Sequence, residues 1–449
     1  MTTIAARERL PTSRPSDPSP TQPYALAHLV AQEMHKGLIE SQVLDHMEEQ
    51  ARQGGVDAPQ RVAVAFLEPV RVALRSGARQ RLRLLRRRAP HVKVVMLPYV
   101  SRFSTRTNAR LLSAWLRVFA RGDRLVLHCR SESAVLWAVA LREALKTSAI
   151  VADFRGVWPD EMLQAKGVAR LADADVPTRA SYQDAVGNVR AALKAADAVL
   201  TVSTALRDWL EQHGGRPEET IVVPTCVPGT TYADAVRREV RSQLGISDKL
   251  VLAYAGTVTP YQHVADGFGA FARMAVAHGE TGRVHVLCIT PDREAMRAAM
   301  SAAGVPSETM TILSVPQHEV ARYLSAADAG FLLRADSIVN RVSVPVKLGE
   351  YLAAGVPVVI SRVDGWLHHT IEDASAGWSI DWFGNGDAER NRLVTDIMRD
   401  LRDGPSRRNA AIALCRHQFT WSAYTRQVRT AYANALARTR SAPMNASTS

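Results

Sequence analysis

Short apolar runs separated by stretches of helical periodicity recur along almost the whole chain, and this alternation constrains the fold more than any other feature. Runs at 24–30 (YALAHLV), 61–67, 92–97, 124–128, 148–153 and 198–202 alternate with helical patterns over 38–53, 71–88, 107–120, 132–146, 180–196 and from Thr204. Buried strands joined by helices of 10–15 residues predict a parallel sheet with crossover helices. A second series begins near 236, with runs at 249–255, 283–289, 310–313, 329–333 and 356–360. The expected fold is therefore α/β, with two doubly wound, Rossmann-like units. Residues 195–200 (AADAVL) and 326–331 (AADAGF) echo each other, each at a helix end before a buried strand and at comparable places in the two units. Two helical stretches close the chain, near 405–415 and 422–438, broken at Phe419-Thr420-Trp421. The Pro-, Ser- and Thr-rich residues 1–22 and the tail 440–449 have no periodicity and are expected to be disordered. The boundaries read as 23–235 for the first domain, 236–415 for the second and 416–439 for a terminal helix.

Composition narrows the class. The chain has 449 residues, 47% of them apolar and 22% charged, which excludes wholesale disorder and fits two or three domains. The longest uncharged apolar runs fall short of the ~20 residues needed to span a bilayer, so no transmembrane helix is expected. No apolar h-region follows the first residues, and no secretory signal is expected. Cys129, Cys226, Cys288 and Cys415 are widely separated, with no Cys-x-x-Cys. They read as reduced thiols of a cytoplasmic protein, without a cysteine-based zinc site. No histidine spacing suggests a metal either, and none is assigned.

Charge is concentrated. The net charge is +12, yet residues 71–130 alone hold sixteen Lys and Arg against the single acid Asp123. Such an excess fits an anionic partner, a membrane face or a solvated arginine-rich surface. No nucleic-acid motif accompanies it, and nucleic acid is not expected as a partner. Acidic headgroups ask for less specificity, so an anionic membrane surface at 71–130 is the partner to test, with a peripheral position at the inner face of a membrane.

Three segments can carry chemistry. In 344–361 (VPVKLGEYLAAGVPVVIS), Pro345 suits a first helical position, Gly355 a left-handed C′ position, and Pro357 ends the helix. Lys347 then lies in the first turn, where the helix dipole disfavours a cation unless an anion shares the site. Glu350 follows one turn later, and an ordinary Lys–Glu pair on a solvated helix fits the same spacing. In 251–266 (VLAYAGTVTPYQHVAD) a buried strand meets Gly256 and Thr257, which would let backbone approach a phosphate, or would form a plain strand–helix turn. His128, Arg130, Asp153 and Arg155 fall at the carboxyl ends of two expected strands, where open α/β sheets bind ligands. An Asp–Arg pair that merely holds the loop 155–161 fits as well.

Together these residues resemble glycosyltransferase family 4, retaining enzymes of the GT-B fold. Residues 345–359 are similar to that family's donor-site helix, 255–262 (AGTVTPYQ) to its strand–loop, and 314–328 to its nucleobase segment. Residues 37–55 are similar to its first loop and helix, and 419–421 (FTW) to the terminal helix that crosses back to the N-terminal domain. The resemblance implies two domains facing across a cleft, with sugar transfer from a nucleotide-sugar donor to a hydroxyl acceptor, a glycan or lipid-linked, in cell-surface polysaccharide or glycolipid synthesis. It implies no separate cofactor. It places Lys347 on the donor pyrophosphate, Glu350 on ribose or sugar hydroxyls, and Gly256, Thr257 and Gln262 in the phosphate loop. Arg130 and Asp153 join Glu350 as candidate catalytic groups. Three positions depart from the family pattern: Val342 stands for the first of its paired glutamates, Arg130 for the second residue of its His-x-His, and Thr257, Thr259 and Gln262 for the loop's basic residue. A sugar-nucleotide epimerase and a binding protein without turnover are the alternatives.

Overall fold

The structure is a computed structural model and describes residues 23–145, 148–216, 219–259, 262–278, 283–363 and 366–441. The expected tail at 1–22 lies outside these residues, as does 442–449 of the tail expected over 440–449, whereas residues 440 and 441 continue the last helix. The chain divides into two compact units. One runs to Cys226 and takes back the segment from Trp421, and the other is Val227–Thr420.

The first unit holds a seven-stranded parallel sheet in the order β3-β2-β1-β4-β5-β6-β7. Its strands are β1 (Tyr24–Ala31), β2 (Arg61–Pro69), β3 (Lys93–Tyr99), β4 (Arg124–Arg130), β5 (Ser148–Phe154), β6 (Ala198–Thr201) and β7 (Thr220–Val222). The second unit holds a six-stranded parallel sheet in the order β10-β9-β8-β11-β12-β13. These strands are β8 (Leu250–Ala255), β9 (Val284–Ile289), β10 (Met310–Leu313), β11 (Ala329–Leu332), β12 (Val358–Ser361) and β13 (Gly377–Ile380). In both sheets the strand order reverses beside the first strand, opening a crevice at the carboxyl ends where such folds bind ligands. Helix Trp421–Ser441 packs on β5 of the first unit, and Tyr432, Trp421 and Val428 join that unit's core.

Several elements differ from the sequence reading. The helix expected over 71–88 is split into Val70–Ala73 and Ser76–Arg88, because Arg75 adopts an extended backbone between them. Residues 158–161, read as a loop, begin the helix Trp158–Ala165. Pro159 fits its first turn, and Asp160 and Glu161 there complement the helix dipole. The short edge strands β7 and β13 carry too few apolar residues to show as runs. Pro345 caps the helix Val346–Ala353 from outside rather than starting it, while Gly355 has the expected positive φ of 71°.

The AAD echo is local chemistry, not a repeat at equivalent places. Asp197 precedes β6, beside β5, whereas Asp328 precedes β11, beside β8. Each carboxylate accepts a neighbouring strand's backbone N–H at 2.7 Å, from Ile150 and Val251 respectively, and each meets arginine: Arg142 at Asp197, Arg237 and Arg241 at Asp328. The same solution anchors two topologically different strands.

Candidate functional site

In the second unit the site is built where β8, β11 and helix Val346–Ala353 converge. β8 runs into Gly256, whose φ of 127° is one that side chains rarely adopt. A Cβ there would sit 3.1 Å from Lys347 Nζ, so the glycine also clears room for the lysine. Lys347 Nζ donates to Gln262 Oε1 at 2.8 Å and Tyr254 Oη at 3.2 Å, and lies 4.3 Å from the Tyr254 ring centroid. Tyr254 Oη in turn donates to the Thr257 carbonyl at 2.9 Å. Tyr351 accepts the Ala255 N–H at 2.8 Å on its hydroxyl, tying the helix to the end of β8. Its ring lies over Gly330 of β11, where any Cβ would be 2.6 Å from it.

Lys347 is buried, and no carboxylate among the described residues comes within ion-pair distance of it. A solvated Lys–Glu pair is therefore not what the helix carries. Burial first, and then the nearby Arg334 cation, push the Lys347 pKa down to about 7. Arg334 stands two residues past the end of β11 and is 3% exposed; its backbone N–H is held by Ser361 Oγ and its Nη1 by Ser343 Oγ, both at 2.7 Å. Glu350 Oε1 accepts from Gln317 Nε2 at 2.6 Å. Desolvation pushes its carboxyl up to about 7, with Lys347 opposing, although its side chain keeps part of its access to water. Two buried cations thus share the strand ends with one carboxylate. Ahead of them, Pro345 makes no side-chain cap for the helix N-terminus. Such a place suits an anion with several oxygens.

The sequence-chosen residues distribute unevenly. Gly256, Gln262 and Lys347 come together, whereas the Thr257 side chain is exposed and contributes its carbonyl instead. Pro260 and Tyr261 lie outside the described residues. Val342 is fully buried in the short helix Ile338–Val342. Arg334 escaped the sequence reading; its only signal is a lone arginine ending the apolar run AGFLL.

Arg130 and Asp153 belong to the first unit, on β4 and β5, where they are register partners. Arg130 donates to Glu33 Oε2 at 2.9 Å and to Gln42 Oε1 at 2.7 Å. Asp153 Oδ2 accepts from Arg155 Nε at 2.9 Å and lies 3.2 Å from His128 Nε2. Burial opposes its ionisation, but Arg155 and His128 outweigh that and hold its carboxyl well below the usual range. His128 Nδ1 meets Tyr432 Oη at 2.8 Å. Beneath this network His28, His46 and His128 are buried with ring nitrogens within 4.8 Å of one another. Burial, reinforced by His128, drives the His28 and His46 pKa values well below the ordinary 6.5. A metal on this trio would compete with both hydrogen bonds of His128, whose ring is stacked on His28 at 4.2 Å. The arrangement suits packed imidazoles, with His28 and His46 held neutral by burial. Sequence spacing could not show the trio, because β1, β4 and the helix Asp45–Arg52 bring it together only in three dimensions.

Comparison with known proteins agrees with the geometry of the second unit. Residues 236–411 match the family model of glycosyl transferases group 1. Solved structures similar to most of the chain show the GT-B fold. The Anabaena protein Alr3699/HepE in complex with UDP is 13% identical, with 91% of this chain and 99% of that one covered and a TM-score of 0.63. Sucrose-phosphate synthase from Thermosynechococcus elongatus is 15% identical, covering 93% and 100%, with a TM-score of 0.62. The lipopolysaccharide outer core galactosyltransferase WaaB is 14% identical, covering 91% and 99%, at 0.57. No curated protein matches the sequence.

Proposed function

We propose that the protein moves a sugar from a nucleotide-sugar donor to a hydroxyl acceptor, and that its second unit holds the donor. The observation that carries this reading is Lys347: a buried cation with only neutral hydrogen-bond partners, beside Arg334, at a helix N-terminus and the carboxyl ends of a doubly wound sheet. The difficult part of such a transfer is the departing diphosphate. Lys347, Arg334 and the helix amides stabilise the charge that develops on it, and in a buried site that stabilisation is largely electrostatic. Glu350, aimed by Gln317, accepts hydrogen bonds from ribose or sugar hydroxyls. The UDP and UDP-glucose bound by the Anabaena protein support a uridine nucleotide-sugar as the first donor to try. Retention of configuration, a hexose donor and a cell-surface glycan or lipid-linked acceptor belong to the same reading, supported by the resemblance and by the WaaB neighbour.

Incubation with UDP-glucose and no acceptor tests it: slow release of UDP that disappears in Lys347→Met is expected. Tight binding without release would instead favour a binding protein without turnover. The buried Val342 is the observation behind that second reading, since it leaves no carboxylate where the family resemblance puts one.

A further inference from the structure

The sixteen basic residues of 71–130 do not act as one surface. Arg81 pairs with Glu40, Arg88 with Asp45 and Arg130 with Glu33, while Arg86 and Arg124 donate to the carbonyls of Val94 and Leu436. These arginines tie the first unit together. Helix Thr105–Ala120 contains no acidic residue; its Arg106 meets Glu143 at 3.4 Å and its Arg117 donates to the Ala144 carbonyl at 2.5 Å, while Arg110 stays outward. The helix's inner face buries Ala109, Leu112, Leu116 and Phe119. Its outer face exposes Arg106, Arg110, Leu111, Ala114, Arg117 and Val118, and ends on the exposed cap Arg121.

Leu111 and Val118 stand seven residues apart, on one stripe of that face. They are 63% and 74% exposed, among the most exposed large apolar side chains of the described residues. The helix's arginines lie along one side of the stripe, and Lys93 stands over Trp115 on the other. Beside it, between this helix and helix Ser131–Leu145, a cleft of about 300 Å³ is lined by Arg106, Arg110, Ser113 and Arg117, with Glu143 as the one acid. At the far end a second cleft of about 380 Å³ is lined by His91, Lys93, Val118 and Arg121 among others. The side chains of Arg110 and Arg121 make no ion pair or hydrogen bond with a described residue.

We propose that this face of helix Thr105–Ala120 docks on an anionic lipid surface, with Leu111 and Val118 entering the headgroup boundary and headgroup phosphates settling beside the flanking arginines. An anionic lipid boundary gives two large aliphatic side chains beside cations a place to bury, and a nucleic-acid surface would present aromatic or amide groups there rather than a Leu–Val stripe. Helix Ser76–Arg88 is also basic, but it packs toward the 40–44 segment, whereas Thr105–Ala120 packs on Ser131–Leu145, and right-handed crossovers put the two on opposite faces of the sheet. A flat membrane engages one face.

The test is co-sedimentation of the full chain with vesicles of phosphatidylcholine alone and with phosphatidylglycerol added. Binding is expected only with the anionic lipid, and it weakens as the Debye length falls from ~10 Å at 0.1 M salt to ~3 Å at 1 M. Each exposed arginine adds about fivefold to partitioning, so Arg110→Gln with Arg121→Gln is expected to lose roughly 25-fold. Leu111→Ser with Val118→Ser should weaken binding without changing its salt dependence. Arg79→Gln with Arg83→Gln removes the same charge from the other basic helix and is expected to bind as the unaltered protein does. The proposal is overturned by no binding to anionic vesicles at 0.1 M salt, by equal losses in the two arginine pairs, or by tighter binding to a single-stranded oligonucleotide than to vesicles. UDP binding, measured on the same variants, should stay unchanged, which keeps this result separate from the proposed transfer.

Discussion

Lys347→Met removes the charge of the donor site while keeping most of the side chain's bulk. In the unliganded protein the lysine is costly. Its pKa falls from 10.5 to about 7, and each unit corresponds to ~1.4 kcal/mol, so burying the charged form costs a few kcal/mol. The sign follows from proton counts. Between about pH 7 and 10.5 the unfolded chain binds a proton that the folded chain does not, so this group makes stability rise with pH across that window and contributes least below it. Methionine abolishes the dependence, and at pH 6 the variant should melt no lower than the unaltered protein. Ligand binding must go the other way. A charge-assisted contact to a diphosphate contributes roughly 1.5–3 kcal/mol, so affinity for UDP-glucose should fall about 10- to 150-fold. An anion in the site also raises the lysine's pKa, so binding above pH 7 takes up a proton. The affinity of the unaltered protein should therefore decline from pH 7 to 9, while that of Lys347→Met stays flat. Calorimetry at three pH values, in buffers of different ionisation enthalpy, measures both quantities. Equal affinities for the two proteins, or no proton uptake at pH 8.5, would falsify the assignment of Lys347 to the diphosphate.

Other consequences are open to simple assays. Glu350→Gln keeps a hydrogen-bonding group for Gln317 and should leave the melting temperature within a degree or two, while turnover drops at least about tenfold; a large loss of stability with full activity would make Glu350 structural. Because its carboxyl titrates near 7, any step needing the carboxylate should speed up as pH rises through 7, and the glutamine variant should lose that rise. Gly330→Ala drives a methyl into the Tyr351 ring, which should cost roughly 1–3 kcal/mol, visible as several degrees of melting temperature, and should loosen the tyrosine's grip on Ala255. His28 and His46 are held neutral in the fold, so the first unit should lose stability as pH falls below about 6.5, where the unfolded chain takes up protons that the fold refuses. Replacing His28 with Phe should shallow that acid slope, read by chemical denaturation at pH 5 and pH 7.

The alternation of apolar runs and helical stretches was enough to read two parallel sheets from the sequence, because a strand buried on both faces must be apolar along its length. The turn between Lys347 and Pro357 was equally legible: a positive-φ glycine and a proline act through local backbone sterics. Where the outcome depended on residues far apart in the chain, sequence was silent. It could not separate a solvated Lys347–Glu350 pair from a buried lysine held by Tyr254 and Gln262, since those contacts span 93 and 85 positions. Nor could it divide sixteen basic residues into those that bind carbonyls and carboxylates and those that face water. Backbone preference and burial period are local properties and are written in the sequence. Desolvation, ion pairing and exposure depend on what the fold places alongside each charge, and those are settled only by tertiary structure.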